Sequence, residues 1–292
     1  MVVTGPCGRG GHRPVEGRGK GATRAPIGAL DRSGPAASHE PVGRILVGTS
    51  GWRYHHWRGV LYPEGLAGRL WLPHYARVFP TVELNVTFYG LPSPASSRRW
   101  RDETPPGFAF ATKGSRFITH LKRLADPGRA LGRFFRSLRP LGPRLSVVLW
   151  QLPPRFRPDL GRLESFLRRL PGEVRHAFEF RDPAWYREDV CDCLDRHGAA
   201  FCEHDLVDRP PPWKTGGFRY LRFHGTGYGG LYGERRLRPW AEDLRRWRRR
   251  GDAFVYFNND LGGCAVRDAL TLAGLLGPPR ARKRRRQARG VR

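Results

Sequence analysis

Residues 81–90 read TVELNVTFYG. Val82, Leu84, Val86 and Phe88 alternate with Glu83, Asn85, Thr87 and Tyr89, the period-two rhythm of a β-strand. One face is apolar. The other carries a carboxylate and an amide in a stretch apolar enough to be buried. An unpaired buried carboxylate is costly, so the fold must supply Glu83 with either a partner or a task.

Seven more apolar runs share this character: RILVGTSGW before it, then FAFATKG, LSVVLWQLP, HAFEFRD, AAFCEHD, FRYLRFHG and AFVYFNND. Each ends in polar or glycine-rich residues, and amphipathic stretches separate most of them. Trp71, Tyr75, Val78 and Phe79 form one helical stripe, and Leu160, Leu163, Phe166, Leu167 and Leu170 another. Ser93-Pro94 and Asp126-Pro127 read as helix starts. The link LVDRPPPWKTGG between the sixth and seventh runs reads as a loop. Alternating strands and helices imply a parallel sheet. Eight units in the span 44–277 predict a closed (β/α)8 TIM-like barrel with outer helices. A doubly wound open sheet is the alternative, but the first strand ends VGTSGW, which is not G-x-G-x-x-G.

Active sites of such barrels lie at the C-terminal ends of the strands. The polar residues there are Glu83 and Asn85, Lys113, Gln151, Glu179 and Arg181, His204 and Asp205, Arg222 and His224, and Asn258, Asn259 and Asp260. Packed interiors do not tolerate such a set, whereas ligand sites do. The alternative is a ring of mutually neutralising ion pairs, with Glu83 bonded to Lys113. Gly262 and Gly263, at the start of the last helix, suggest an anion site beside Arg222, or plain turn chemistry. Trp52, Tyr54, Trp57, Tyr89, Trp185, Tyr228 and Tyr232 gather in the loops, either as a stacking platform or as packing.

The net charge is +27. Residues 1–43 hold six basic and three acidic side chains, and residues 278–292 hold eight basic and none acidic, which leaves +16 on 44–277. That balance fits an anionic partner, nucleic acid included. Only five of the 53 basic residues are lysine, however, a bias that a GC-rich coding sequence also produces. The first 43 residues read as a disordered Gly/Pro/Arg-rich extension and 278–292 as a basic tail. No stretch reaches the roughly 20 apolar residues of a membrane span. Cys191, Cys193 and Cys202 match no zinc spacing, so reduced thiols in a cytoplasmic protein are expected.

VGTSGWRYHHWRGVLYP, WLPHYARVFPTVELNVTFYGLP, FAFATKGSRFITH, LWQLPP, FEFRDPAW, YLRFHGTG and VYFNND together resemble the YecE-like family, also called domain of unknown function 72. The resemblance covers roughly residues 45–276. It implies a TIM-like barrel and brings no established reaction with it. By matching motif, the family's polar positions fall on Glu83, Asn85, Lys113, Thr119, His120, Gln151, Glu179, Arg181, Arg222, His224, Asn258 and Asn259. Asp182 departs from the pattern, in which His is the more frequent residue there.

Three functions follow as expectations. The first is an enzyme acting on a phosphorylated or nucleic-acid substrate. Lys113, Arg181 and Arg222 would hold the anion, and His224 with Glu83 or Glu179 would act as acid and base. Asn85, Gln151 and Asn258 would orient the substrate, with Asn259, Gly262 and Gly263 adding contacts. The second is a metal-assisted hydrolase using Glu83, Glu179, His204, Asp205 and His224. The third is a non-enzymatic nucleic-acid-binding protein. No cofactor, metal site or oligomeric state is indicated by the sequence.

Overall fold

The computed structural model describes residues 43–207, 213–225 and 229–277. Residues 1–42, the tail 278–292 and Tyr228 lie outside the described residues. In chain order the elements are β1 (Ile45–Thr49), α1 (Trp71–Val78), β2 (Thr81–Leu84), α2 (Val86–Tyr89), α3 (Pro94–Asp102) and β3 (Ala109–Lys113). Next come α4 (Gly128–Leu138), β4 (Leu145–Leu152), α5 (Leu160–Leu167), β5 (Arg175–Phe180), α6 (Glu188–Arg196), β6 (Ala200–Phe201) and β7 (Glu203–His204). The last are β8 (Arg219–Phe223), α7 (Gly233–Trp247), β9 (Ala253–Phe257) and α8 (Cys264–Leu276).

Every strand pairing is parallel, in a five-stranded sheet ordered β2-β3-β4-β5-β6 and a four-stranded sheet ordered β1-β9-β8-β7. The single sheet expected from the sequence is thus two ladders. The sixth run supplies both β6 and β7, parted only by Cys202. Between β1 and β2 the contact is one parallel bridge, Ser50 to Glu83. The backbones approach closely there: a Cβ on Gly48 would lie 2.2 Å from the Thr81 carbonyl oxygen, so only glycine fits.

The apolar residues divide into two cores. The larger lies between strands and helices and takes in the aromatic rings of Trp57, Trp71, Tyr75, Trp150 and Phe166. The smaller contains strand residues from both sheets, among them Leu46, Ala111, Leu149, Ala177, Tyr220 and Tyr256, and their shared side leads up to the polar strand ends. Ser93 caps α3 as expected, its Oγ accepting from the Ser96 amide at 3.0 Å with Pro94 in the first turn. Asp126 does not cap α4. It has φ +41°, and Pro127 takes the N-cap position. Val78, expected on the inner stripe of α1, is exposed, and Leu72 and Ala76 are buried instead.

The 81–90 stretch differs most from its reading. Strand β2 stops at Leu84, Asn85 turns into the right-handed helical region, and residues 86–89 form one helical turn. Thr87 fixes the turn, its hydroxyl lying 3.0 Å from the Leu84 carbonyl and 2.6 Å from that of Lys113. Val86 and Tyr89 therefore point to solvent, and Tyr89 is 82% exposed.

Candidate functional site

Glu83 lies on β2, facing the smaller core, and is wholly buried. Its partner is not Lys113. Arg222 Nη2 donates to Oε1 at 2.9 Å, the Ser50 hydroxyl donates to the same oxygen, and the Tyr220 hydroxyl donates to Oε2 at 2.5 Å. Burial alone would raise this carboxyl. Arg222 and the two hydroxyls outweigh it and hold Glu83 below the usual carboxylate range. Asn85 extends the group, donating from Nδ2 to the Ser50 hydroxyl at 2.7 Å.

Arg222 carries a second carboxylate. Its Nη1 donates to Glu179 Oε2 at 2.6 Å, and Arg181 Nε donates to Glu179 Oε1. Glu179 is also fully buried, and these two guanidinium groups overcome that burial and keep it ionised. Both carboxylates, one on β2 and one on β5, thus share one buried arginine. That commitment leaves Arg222 a bridge between two glutamates and not the anion clamp expected for it.

His224 is buried and lies 3.1 Å from Asp205 through Nδ1 and 3.4 Å from Arg181 Nη2 through Nε2. Asp205 only accepts and Arg181 only donates, so the arrangement fixes a neutral ring protonated at Nδ1. Burial also holds this imidazole below the usual histidine range, against the opposing pull of Asp205. Asp205 is itself held at about 2: burial raises it, and the bonds from His224 and Tyr232 more than reverse that. His204, buried nearby, lies 3.1 Å from both the Phe180 carbonyl and the Tyr186 hydroxyl.

Lys113 ends β3 and faces the same side. Its Nζ lies 4.2 Å from the centre of the Phe88 ring, and among the described residues it makes no hydrogen bond and no ion pair. Burial, reinforced by Arg222, pulls the ammonium down to about 8. His120 rests on the same ring at 5.0 Å, with Nδ1 2.9 Å from the Thr119 hydroxyl, and burial beside Lys113 and two arginines brings it to about 4. Gln151 stands in register with Glu179, two residues beyond the partner of Lys113, and its buried Oε1 has no hydrogen-bond partner among the described residues.

Other expected residues serve the scaffold. Asn259 is fully buried and donates to Asp268 at 2.7 Å and to the Gly230 carbonyl at 2.9 Å. Gly263 caps α8 with φ +74°, and its amide already donates to the Asp260 carbonyl, so it does not offer the free N–H expected of an anion site. Asn258 is half-buried at the end of β9, its amide bonded to the Phe223 carbonyl at 2.7 Å. Asp182, the departure from the family pattern, caps a short turn by accepting from the Ala184 amide. Among the described residues no three His, Cys, Asp or Glu side chains converge as a metal site. Sequence reading missed Ser50 and Tyr220. Tyr220 was within reach, since it shares the period-two face of Arg222 and His224.

Residues 46–290 match the family described as protein of unknown function DUF72. The chain belongs to the DUF72 family. The matched region takes in most of the basic segment 278–292. UPF0759 protein YecE of Escherichia coli is 34% identical over 143 residues, 49% of this chain, and the chain spans about half the length of that relative (50%). UPF0759 protein YunF of Bacillus subtilis is 26% identical over 80% of this chain and 94% of its own length. A DUF72 family protein of Thermotoga maritima, solved by crystallography, superimposes with a TM-score of 0.73 at 33% identity, covering 80% of this chain and all of the other. One from Enterococcus faecalis shares the fold at 19% identity, with a TM-score of 0.69 over 80% of this chain and 96% of its own.

Proposed function

We propose that this DUF72 protein is an enzyme acting on a small anionic substrate at the C-terminal ends of its strands. The observation that carries the reading is the contrast between Lys113 and its neighbours. Glu83, Glu179, Arg181 and Arg222 pair their charges with one another, while the Lys113 ammonium has no carboxylate within ion-pair distance among the described residues. A half-buried cation beside a network whose other charges are paired calls for an anion from outside. Arg181, whose side chain is 16% exposed, is the second group able to reach it. Arg222 organises the carboxylates, and the Asp205–His224 pair holds Arg181 in place and supplies a neutral imidazole for proton transfer. The phosphorylated substrate of the first expectation falls within this class.

Residues 44–277 form, in this reading, one (β/α)8 barrel. Support comes from the smaller core shared by both sheets, the Ser50–Glu83 bridge and the single-residue gap between β6 and β7. The cytoplasmic location rests on free thiols at Cys191, Cys193, Cys202 and Cys264. No helix among the described residues is long and apolar enough to cross a membrane.

Thermal unfolding in rising concentrations of inorganic phosphate and of small carboxylates tests the site. Saturable stabilisation, lost in K113M and kept in the exposed-arginine variant R246Q, is the expected result. Stabilisation of equal size in K113M would remove the site from these strand ends.

A further inference from the structure

We propose that Lys113 is an amine nucleophile that condenses with the carbonyl group of a small anionic aldehyde or ketone, an α-oxo acid being the simplest member, to form an imine at the end of β3. The inference rests on the anionic-substrate reading and names the chemistry of that substrate.

Three observations point to it. The first is the choice of residue: 48 of the 53 basic side chains are arginine, yet among the described residues the strand-end cation without an ion pair is a lysine. Guanidinium stays protonated and cannot attack a carbonyl, whereas a desolvated amine among cations can. The second is the setting. Nζ lies over the Phe88 ring and beside a network whose own charges are already paired, so among the described residues no carboxylate bonds the amine and fixes it as ammonium. The third is Gln151, nine-tenths buried on the same face, with Oε1 unsatisfied. A substrate hydroxyl, or the carbinolamine formed from the carbonyl oxygen, supplies the donor that oxygen lacks.

The step balances without an oxidant. Nζ first yields one ammonium proton to His120, its freed lone pair forms the N–C bond, and the carbonyl oxygen takes a second proton from the same nitrogen to give a neutral carbinolamine. His120, a neutral imidazole on the same Phe88 ring, accepts the proton that the amine releases and returns it to the departing hydroxyl. The C–O bond breaks, one water leaves and a protonated imine remains. Arg181 holds the carboxylate of the α-oxo acid.

The test is reductive trapping. The full-length protein is incubated with pyruvate or glyoxylate and cyanoborohydride, and the adduct is mapped by mass spectrometry. Five lysines, at 20, 113, 122, 214 and 283, make the map unambiguous. The expected result is labelling of Lys113 at least tenfold faster than of any other lysine, abolished in K113R and slowed in H120A. K113R retains a cation, so stabilisation by pyruvate survives in it if the anion site is real. Saturable stabilisation without preferential Lys113 labelling overturns the imine and leaves the anion site standing. Absence of both overturns the two together.

Discussion

Lys113 carries its charge against its surroundings, and that has a measurable cost. Its folded pKa of about 8 lies below the unfolded value of roughly 10.4, with burial and Arg222 pulling it down while Glu83 and Glu179 oppose them. The unfolded chain therefore binds more protons between those values. The destabilising contribution is fully present below pH 8 and fades as pH rises toward about 10.4. K113M should thus stabilise the fold near pH 7 by on the order of 1–3 kcal/mol, with the gain shrinking above pH 8. Urea titrations of both proteins across that range check this, and a gain independent of pH would contradict it. Glu83 and Glu179 have the opposite sign. Their carboxyls are depressed on folding despite burial, so their stabilisation is complete above roughly pH 4.3 and is lost as pH falls through the lower folded values. E83Q leaves Arg222 half-neutralised in a buried site and should cost about 3–5 kcal/mol at pH 7, read as a lower urea midpoint with an unchanged slope.

The elements were legible in the sequence to different depths. Period-two runs located the strands because each has a buried apolar face, and they brought Glu83, Lys113, Gln151, Glu179 and Arg222 to one side. The pattern did not carry partner choice. Glu83 and Lys113 lie on neighbouring strands, yet the bonds to Glu83 come from Arg222 and Tyr220, far away in the sequence and across the smaller core. Nor did it end β2 at Leu84, because the stop is made by Thr87 bonding two carbonyls, one of them on β3. A similar tertiary clip governs the loop after β8. Asp268, buried on α8, accepts from the amides of Tyr232 and Gly233 at 3.0 Å each and from Asn259 at 2.7 Å. Tyr232 in turn donates its hydroxyl to Asp205, which holds His224. D268A leaves three donors unmatched, the buried Asn259 amide at about 1–3 kcal/mol and the half-buried Tyr232 and Gly233 amides at less. The expected outcome is a large stability loss together with faster hydrogen exchange at the Tyr232 and Gly233 amides. Exchange unchanged at those two positions would show that the loop is held by other contacts.

At the scale of the whole molecule, the charge of +27 attracts any polyanion, whatever the strand ends do. The two effects separate by salt and by location. Binding of mixed-sequence duplex DNA driven by diffuse charge falls steeply with salt, the log–log slope being about 0.9 per phosphate neutralised. Residues 278–292 hold eight of the basic side chains and no acid, so deleting them should flatten the slope and weaken binding at low salt. K113M, which removes one half-buried charge, should leave the slope essentially unchanged while abolishing stabilisation by small anions. Filter binding from 50 to 300 mM salt, run on the full chain, the deletion and K113M, decides the matter. If K113M flattened the slope as much as the deletion did, the strand ends would themselves be the polyanion surface. The nucleic-acid reading would then displace the small-substrate one, because a site built around one amine has no other means of contributing several phosphate contacts at once.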